Sequence, residues 1–155
     1  MSLYNIAINR TPTPMPIHVL IVEDEQSIRD TLAELFEVEG TRVTAVETLD
    51  EAKKALAVQP YQFILSDIRL GGKRDGGLQV MAAAGLLSPE AVLLVLTAFP
   101  DQDNRLASLR LGATYFLEKP VDLETIAMVA ARHGVPSSLF PKPELAPQDS
   151  TVFAK

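Results

Sequence analysis

Phe63-Ile64-Leu65-Ser66-Asp67 is a short apolar run that ends on a carboxylate. A loop follows at once: Ile68-Arg69-Leu70-Gly71-Gly72-Lys73-Arg74-Asp75-Gly76-Gly77. Such a run, bounded by turn residues, reads as a strand buried on both faces. Working outward, the same design recurs. His18 to Val22 ends on Glu23-Asp24, Ala91 to Leu96 ends on Thr97, and Thr114 to Leu117 ends on Glu118-Lys119-Pro120. Arg42 to Val46 is β-rich and completes a set of five.

Helical patterns fill the gaps. Ile28, Leu32, Leu35 and Phe36 recur at helical spacing, and Gly40 stops them. Thr48 with Glu51 forms a capping box ahead of Ala52, Ala55 and Leu56. Leu78 to Leu87 is followed by Ser88-Pro89. Leu106, Leu109 and Leu111 lie on a helix closed by Gly112, and Asp122 caps a last helix carrying Ile126, Val129 and Ala130. Alternating apolar strands and amphipathic helices predict an α/β fold, with a parallel sheet covered by helices on both faces. Right-handed crossovers point to a doubly wound five-stranded sheet in the order 2-1-3-4-5, the flavodoxin-like arrangement.

Composition bounds the function. The 155 residues fit one domain with short tails. Residues 1–16, with Pro12, Pro14 and Pro16, read as a flexible leader. Residues 17–135 form the domain, and 136–155, with Pro136, Pro141, Pro143 and Pro147, read as a proline-rich tail or linker. There is no cysteine, so disulfides, thiol catalysis and thiolate metal sites are excluded. A net charge of −6 disfavours direct nucleic-acid binding by this chain. No apolar run approaches the roughly 20 residues that span a bilayer, and a cytoplasmic location is expected.

In such sheets ligands bind beyond the carboxyl ends of the strands. There the first strand delivers Glu23-Asp24, the third Asp67, the fourth Thr97 and the fifth Lys119. Carboxylates gathered together call for a cation, and oxygen ligands without histidine or cysteine favour a hard ion such as Mg²⁺. A lysine there would neutralise phosphoryl charge, and a threonine hydroxyl would donate to a phosphoryl oxygen. Asp67 is then a carboxylate nucleophile that forms an acyl phosphate.

Val22-Glu23-Asp24-Glu25, Leu65-Ser66-Asp67-Ile68, Leu96-Thr97-Ala98 and Glu118-Lys119-Pro120 occur in the order and at the usual spacing of response regulator receiver domains, which the central three quarters of the chain resembles. The resemblance implies a two-component signalling switch, not an enzyme acting on other substrates. It also implies phosphorylation on Asp67 by a histidine kinase or histidine phosphotransfer protein, with Mg²⁺ as cofactor. Asp24 resembles the direct metal ligand, Glu23 the acid that reaches the metal through water, and the backbone carbonyl of Arg69 a further ligand. Thr97 and Phe116 resemble the switch pair, and Lys119 the phosphoryl-binding lysine. Lys119-Pro120 is expected to be cis. A homodimer through the helix 4, strand 5 and helix 5 face is a further expectation.

Three departures stand out. Glu23 replaces the commoner aspartate, and Phe116 the commoner tyrosine. The loop after Asp67 lacks the usual proline and is about one residue longer than usual, with Lys73-Arg74 on a mobile basic rim. Arg69 and Phe99, two positions past Asp67 and Thr97, would flank the phosphoryl group and slow its hydrolysis.

Each residue alone has a plainer reading. Glu23 and Asp24 could cap a helix, Asp67 could be a loop acid, Thr97 a strand end, Lys119 a solvated lysine and Phe116 plain core. Leu109, Met128 and Ala131 read as core before they read as a partner face, and His18 and His133 as structural or exposed. It is the ordered set that favours the switch. Two rivals remain. A receiver that works without phosphorylation needs a broken pocket. A flavodoxin-like cofactor binder needs a phosphate-cradling loop where Glu23-Asp24-Glu25 would repel an anion. The chain also reads as a receiver cut from a longer transcriptional regulator, with a last helix resembling those of receivers joined to enhancer-binding ATPases.

Overall fold

The computed structural model describes residues 15–70, 76–98, 100–120 and 122–147. The leader over residues 1–14, Lys73-Arg74, Phe99 and the final stretch 148–155 lie outside the described residues. Five strands alternate with five helices. They run β1 (Ile17–Val22), α1 (Gln26–Phe36), β2 (Thr41–Val46), α2 (Leu49–Val58), β3 (Phe63–Asp67), α3 (Gly76–Leu87), β4 (Val92–Thr97), α4 (Gln102–Arg110), β5 (Tyr115–Glu118) and α5 (Leu123–Arg132). The sheet is parallel throughout, in the order β2-β1-β3-β4-β5. This is the predicted doubly wound fold.

Strand alternation divides the core in two. Val19 and Ile21 of β1, Phe63 and Leu65 of β3, and Leu94 and Leu96 of β4 meet Leu32, Leu35 and Phe36 of α1 and Ile126, Val129 and Ala130 of α5. The intervening residues Leu20, Val22, Ile64, Leu93 and Val95 meet Ala52 and Leu56 of α2 and Val80, Met81 and Ala84 of α3 on the other face. Every residue of β3 is buried, as its unbroken apolar run requires.

Local signals act as expected at several ends. Thr48 and Glu51 complete a reciprocal capping box on α2, and the Asp101 and Asp122 carboxylates cap α4 and α5. Gly40 and Gly112 take positive φ where the chain turns out of α1 and α4. Lys119-Pro120 is cis.

Two regions differ from a simple reading of the pattern. In α4 the leucines face out: Leu106 is 40% and Leu109 46% exposed, and Leu111 beyond the helix is 37% exposed. The residue that α4 turns inward is Ser108. Met128 and Ala131 of α5 are buried, so Leu109 does not share a face of the same kind with them.

The second region follows α5. Val135 and Ser137 are buried, and Phe140 packs against the first core. The Ser138 N–H donates to the Leu35 carbonyl of α1 (2.8 Å), and Ser137 and Phe140 bond to each other through N–H to carbonyl and N–H to hydroxyl contacts of 3.1 Å each. A short 3-10 turn, Pro143–Leu145, then lies against α5. Prolines pre-set φ and donate no N–H, which suits an irregular segment lying on a domain as well as it suits a linker.

Candidate functional site

The strand ends converge because register and alternation agree. Glu23 continues the face of Val19 and Ile21, Asp67 that of Phe63 and Leu65, and Lys119 that of Tyr115 and Leu117. All three side chains therefore leave the first-core face at the carboxyl edge. Lys119 Nζ lies 2.7 Å from Glu23 Oε1 and 2.7 Å from Asp67 Oδ2, bridging two carboxylates that are both largely buried. The other oxygens are also held. Glu23 Oε2 accepts the Glu25 N–H at 3.1 Å, and Asp67 Oδ1 accepts the Arg69 N–H at 3.1 Å.

Asp24 is exposed at the rim, and its carboxylate lies within 4.8 Å of ligand oxygens from Glu23 and Asp67. Three carboxylates gathered at one edge of the sheet form a set suited to a divalent cation. The donors are all oxygens, the set a hard ion prefers. The residues present thus fit Mg²⁺ or a similar ion.

Electrostatics follow from burial and pairing. Burial pushes the Glu23 carboxyl above its ordinary value, against the opposing pull of the Lys119 hydrogen bond and the Glu25 N–H. Burial pulls the Lys119 ammonium down, but its hydrogen bonds to Asp67 and Glu23 outweigh that and leave it above the usual lysine range. Lys119 therefore remains a cation beside Asp67 at neutral pH.

Thr97 lies at the same edge on the other parity, continuing the Val95 face, and is almost fully buried. Its carbonyl accepts the Lys119 N–H at 2.7 Å, joining the ends of β4 and β5. Phe116 pairs with Val95 across β4 and β5 and packs against the second core. The Arg105 guanidinium of α4 stands 5.8 Å from its ring centroid. Thr97 and Phe116 thus share one face of the sheet, while Glu23, Asp67 and Lys119 leave from the other.

Two residues at the site escaped the sequence reading. Arg29, in the first turns of α1, reaches back to the main-chain carbonyls of Glu23 (2.9 Å) and Asp24 (3.4 Å). Nothing in the period of α1 distinguishes it from a solvated arginine. Gly77 opens α3 directly against the Asp67–Ile68 peptide, with its N–H on the Ile68 carbonyl at 2.8 Å. A Cβ there would lie 2.1 Å from the Asp67 carbonyl oxygen. Read as part of a mobile Gly-rich loop, Gly77 is a point of close contact, and its signal was the doubled glycine at the helix start.

Comparison with known proteins bears on this arrangement. Residues 19–131 match the response regulator receiver domain family. The chain is 27% identical over 121 residues to the response regulator protein FleR of Pseudomonas aeruginosa, covering 78% of this chain but 25% of FleR. It is thus similar to about a quarter of that protein. A response regulator of Burkholderia pseudomallei, solved with a phosphorylated aspartic acid, calcium ion and citrate, is 32% identical with a TM-score of 0.66, over 74% of this chain and 65% of that one. The NtrC4 receiver domain, solved as a beryllofluoride-activated dimer, is 30% identical with a TM-score of 0.65, over 76% of this chain and 95% of that one. No helix among the described residues is long and apolar enough to cross a membrane. With its sheet order, its acidic strand ends and a family match over most of its length, this chain belongs to the receiver domains of two-component response regulators.

Proposed function

We propose that Asp67 accepts a phosphoryl group from a cytoplasmic histidine kinase or histidine phosphotransfer protein, in a Mg²⁺-dependent step that this chain itself promotes. The observation that carries the reading is Lys119 Nζ at 2.7 Å from both Asp67 and Glu23, beside a third carboxylate. A carboxylate oxygen of Asp67 forms the new bond to phosphorus as the donor's phosphorus–nitrogen bond breaks, and the imidazole leaves with the electron pair. Lys119 is placed to hold one phosphoryl oxygen as charge moves onto it, and the Thr97 hydroxyl to hold another. Asp24, Asp67 and the Arg69 carbonyl would hold Mg²⁺, with Glu23 reaching it through water. When bound, the ion neutralises charge on the transferring group.

The donor has an approach. A cleft of about 480 Å³ opens beside Lys119, lined by Ile28, Thr31, Ala98, Pro120 and Leu123. Its apolar walls and small Ala98 suit a partner's helix rather than a free anion. On the second-core face, drawing Thr97 toward the phosphoryl group would move Phe116 and the groove between α4 and β5, about 710 Å³. That is a population shift between two packings, read by a partner, an attached effector in a longer regulator, or a second copy. The activated dimer of the similar NtrC4 receiver supports the last of these.

The test is direct. Acetyl phosphate with Mg²⁺ should add one phosphoryl group to the intact protein, seen by mass spectrometry, and no group should be added when a chelator is present from the start. Asp67→Asn should show no gain. Labelling that persists in this variant would overturn the assignment. A wild-type protein that neither labels nor binds beryllofluoride would favour a receiver that works without phosphorylation.

A further inference from the structure

Arg29 contacts the main chain of the acidic turn between β1 and α1. The turn from Glu23 to Glu25 carries three acids in succession and lies between the last residue of β1 and the first of α1. Its hydrogen bonding is sparse. The Glu23 N–H reaches the Val46 carbonyl at 3.0 Å, and the Glu25 carbonyl accepts the first helical bond, from the Arg29 N–H at 2.9 Å. Glu25 at the N-cap makes no side-chain cap bond. The carbonyls of Glu23 and Asp24 fall between the sheet and helix ladders, and the Arg29 guanidinium takes both, at 2.9 and 3.4 Å.

We infer that Arg29 is a positioning residue for the divalent-cation site, fixing through the main chain the turn that aims Glu23 and Asp24. This rests on the reading of Glu23, Asp24 and Asp67 as a Mg²⁺ pocket. The Glu23 side chain is committed to Lys119 and to the Glu25 N–H. Arg29 therefore acts on the backbone, where one guanidinium nitrogen, Nη1, donates to both carbonyls, closely to Glu23 and more loosely to Asp24.

Two effects of Arg29 on a cation have opposite signs, and that makes the inference testable. As a nearby positive charge it repels Mg²⁺, so removing it would tighten binding. As a brace it holds the ligands in place, and losing such outer partners weakens metal binding by about 10–100-fold. The brace reading predicts that Arg29→Met binds Mg²⁺ about tenfold more weakly, measured by titration calorimetry on the full chain without any phosphodonor. Arg29→Lys keeps the charge on a shorter side chain that reaches the two carbonyls less well, and should fall between Met and wild type. Melting of each variant by circular dichroism confirms that the fold is retained. Mg²⁺ binding that is unchanged or tighter in a folded Arg29→Met overturns the brace. Wild-type protein that gives no Mg²⁺ heat overturns the pocket reading itself.

Discussion

Replacing Gly77 by alanine places a methyl group where the Asp67 carbonyl already sits. The new Cβ would lie 2.1 Å from that oxygen and 2.6 Å from Ile68 Cα. Carbon–oxygen contacts settle at about 3.3–3.6 Å, so α3 and the end of β3 must separate by roughly 1.2 Å. Neither neighbour is a flexible side chain; both are backbone. The Gly77 N–H bond to the Ile68 carbonyl, 2.8 Å, cannot survive that separation. Overpacking costs about 1–3 kcal/mol, and a stranded buried backbone group about as much again, so a loss of roughly 2–6 kcal/mol is expected.

The same helix supplies the control. A Cβ at Gly85 meets nothing within 4 Å, so Gly85→Ala should raise stability by about 0.4–1 kcal/mol through the unfolded chain's lost freedom. Urea unfolding followed by far-ultraviolet circular dichroism compares the two. The acetyl phosphate labelling rate should also fall in Gly77→Ala, by about a hundredfold for a shift near 1 Å. If Gly77→Ala unfolds at the wild-type urea concentration, the close approach is not a constraint and the reasoning fails.

Other outcomes follow from the same coordinates. Burial, then the neighbouring Arg132 charge, holds the His133 imidazolium below its ordinary value, so the unfolded chain protonates first on acidification. The stability contributed by the neutral ring is full above pH 6.5 and falls as pH drops below it. His133→Phe should flatten the difference between urea melts at about pH 7.5 and pH 6, and an unchanged difference would assign that slope elsewhere. The buried Ser108 hydroxyl has no partner among the described residues. Ser108→Ala should therefore stabilise by about 1 kcal/mol, and a clear loss in thermal melts would show that the hydroxyl is satisfied. Phe140→Ala should cost about 2 kcal/mol in the same melts, because its ring covers the first core. An unaffected melting temperature would mean that this packing is not held in solution.

What the sequence makes legible is what repeats. Apolar runs that stop on polar residues mark β1, β3, β4 and β5, and alternation carries Glu23, Asp67 and Lys119 to one edge. Thr48 and Glu51 mark α2 because the capping box is a local motif. Contacts that depend on the fold leave no such mark. Arg29 reaches backward to carbonyls whose partners are set only once β1 and α1 are in place. Gly77 resembles any loop glycine until α3 lies against β3. The leucines of α4 follow a helical spacing, yet the inward position goes to Ser108. Pro136 onward has a linker's composition, but Ser137, Ser138 and Phe140 supply the hydrogen bonds and the ring that keep it on the domain.

That last segment bears on which parts of the molecule open together. The Ser138 amide is bonded to the final turn of α1, so it can exchange with solvent only when one of the two gives way. Slow hydrogen exchange at Ser138 would place the segment in the same cooperative unit as α1 and α5, the firm half of the molecule. α4, whose leucines face outward, is expected to open earlier, and faster exchange there than at Ser138 would show it. Anything joined beyond Pro147 would then be carried by α1 as well as α5. A boundary drawn at Val135 would cut through a unit that opens as one.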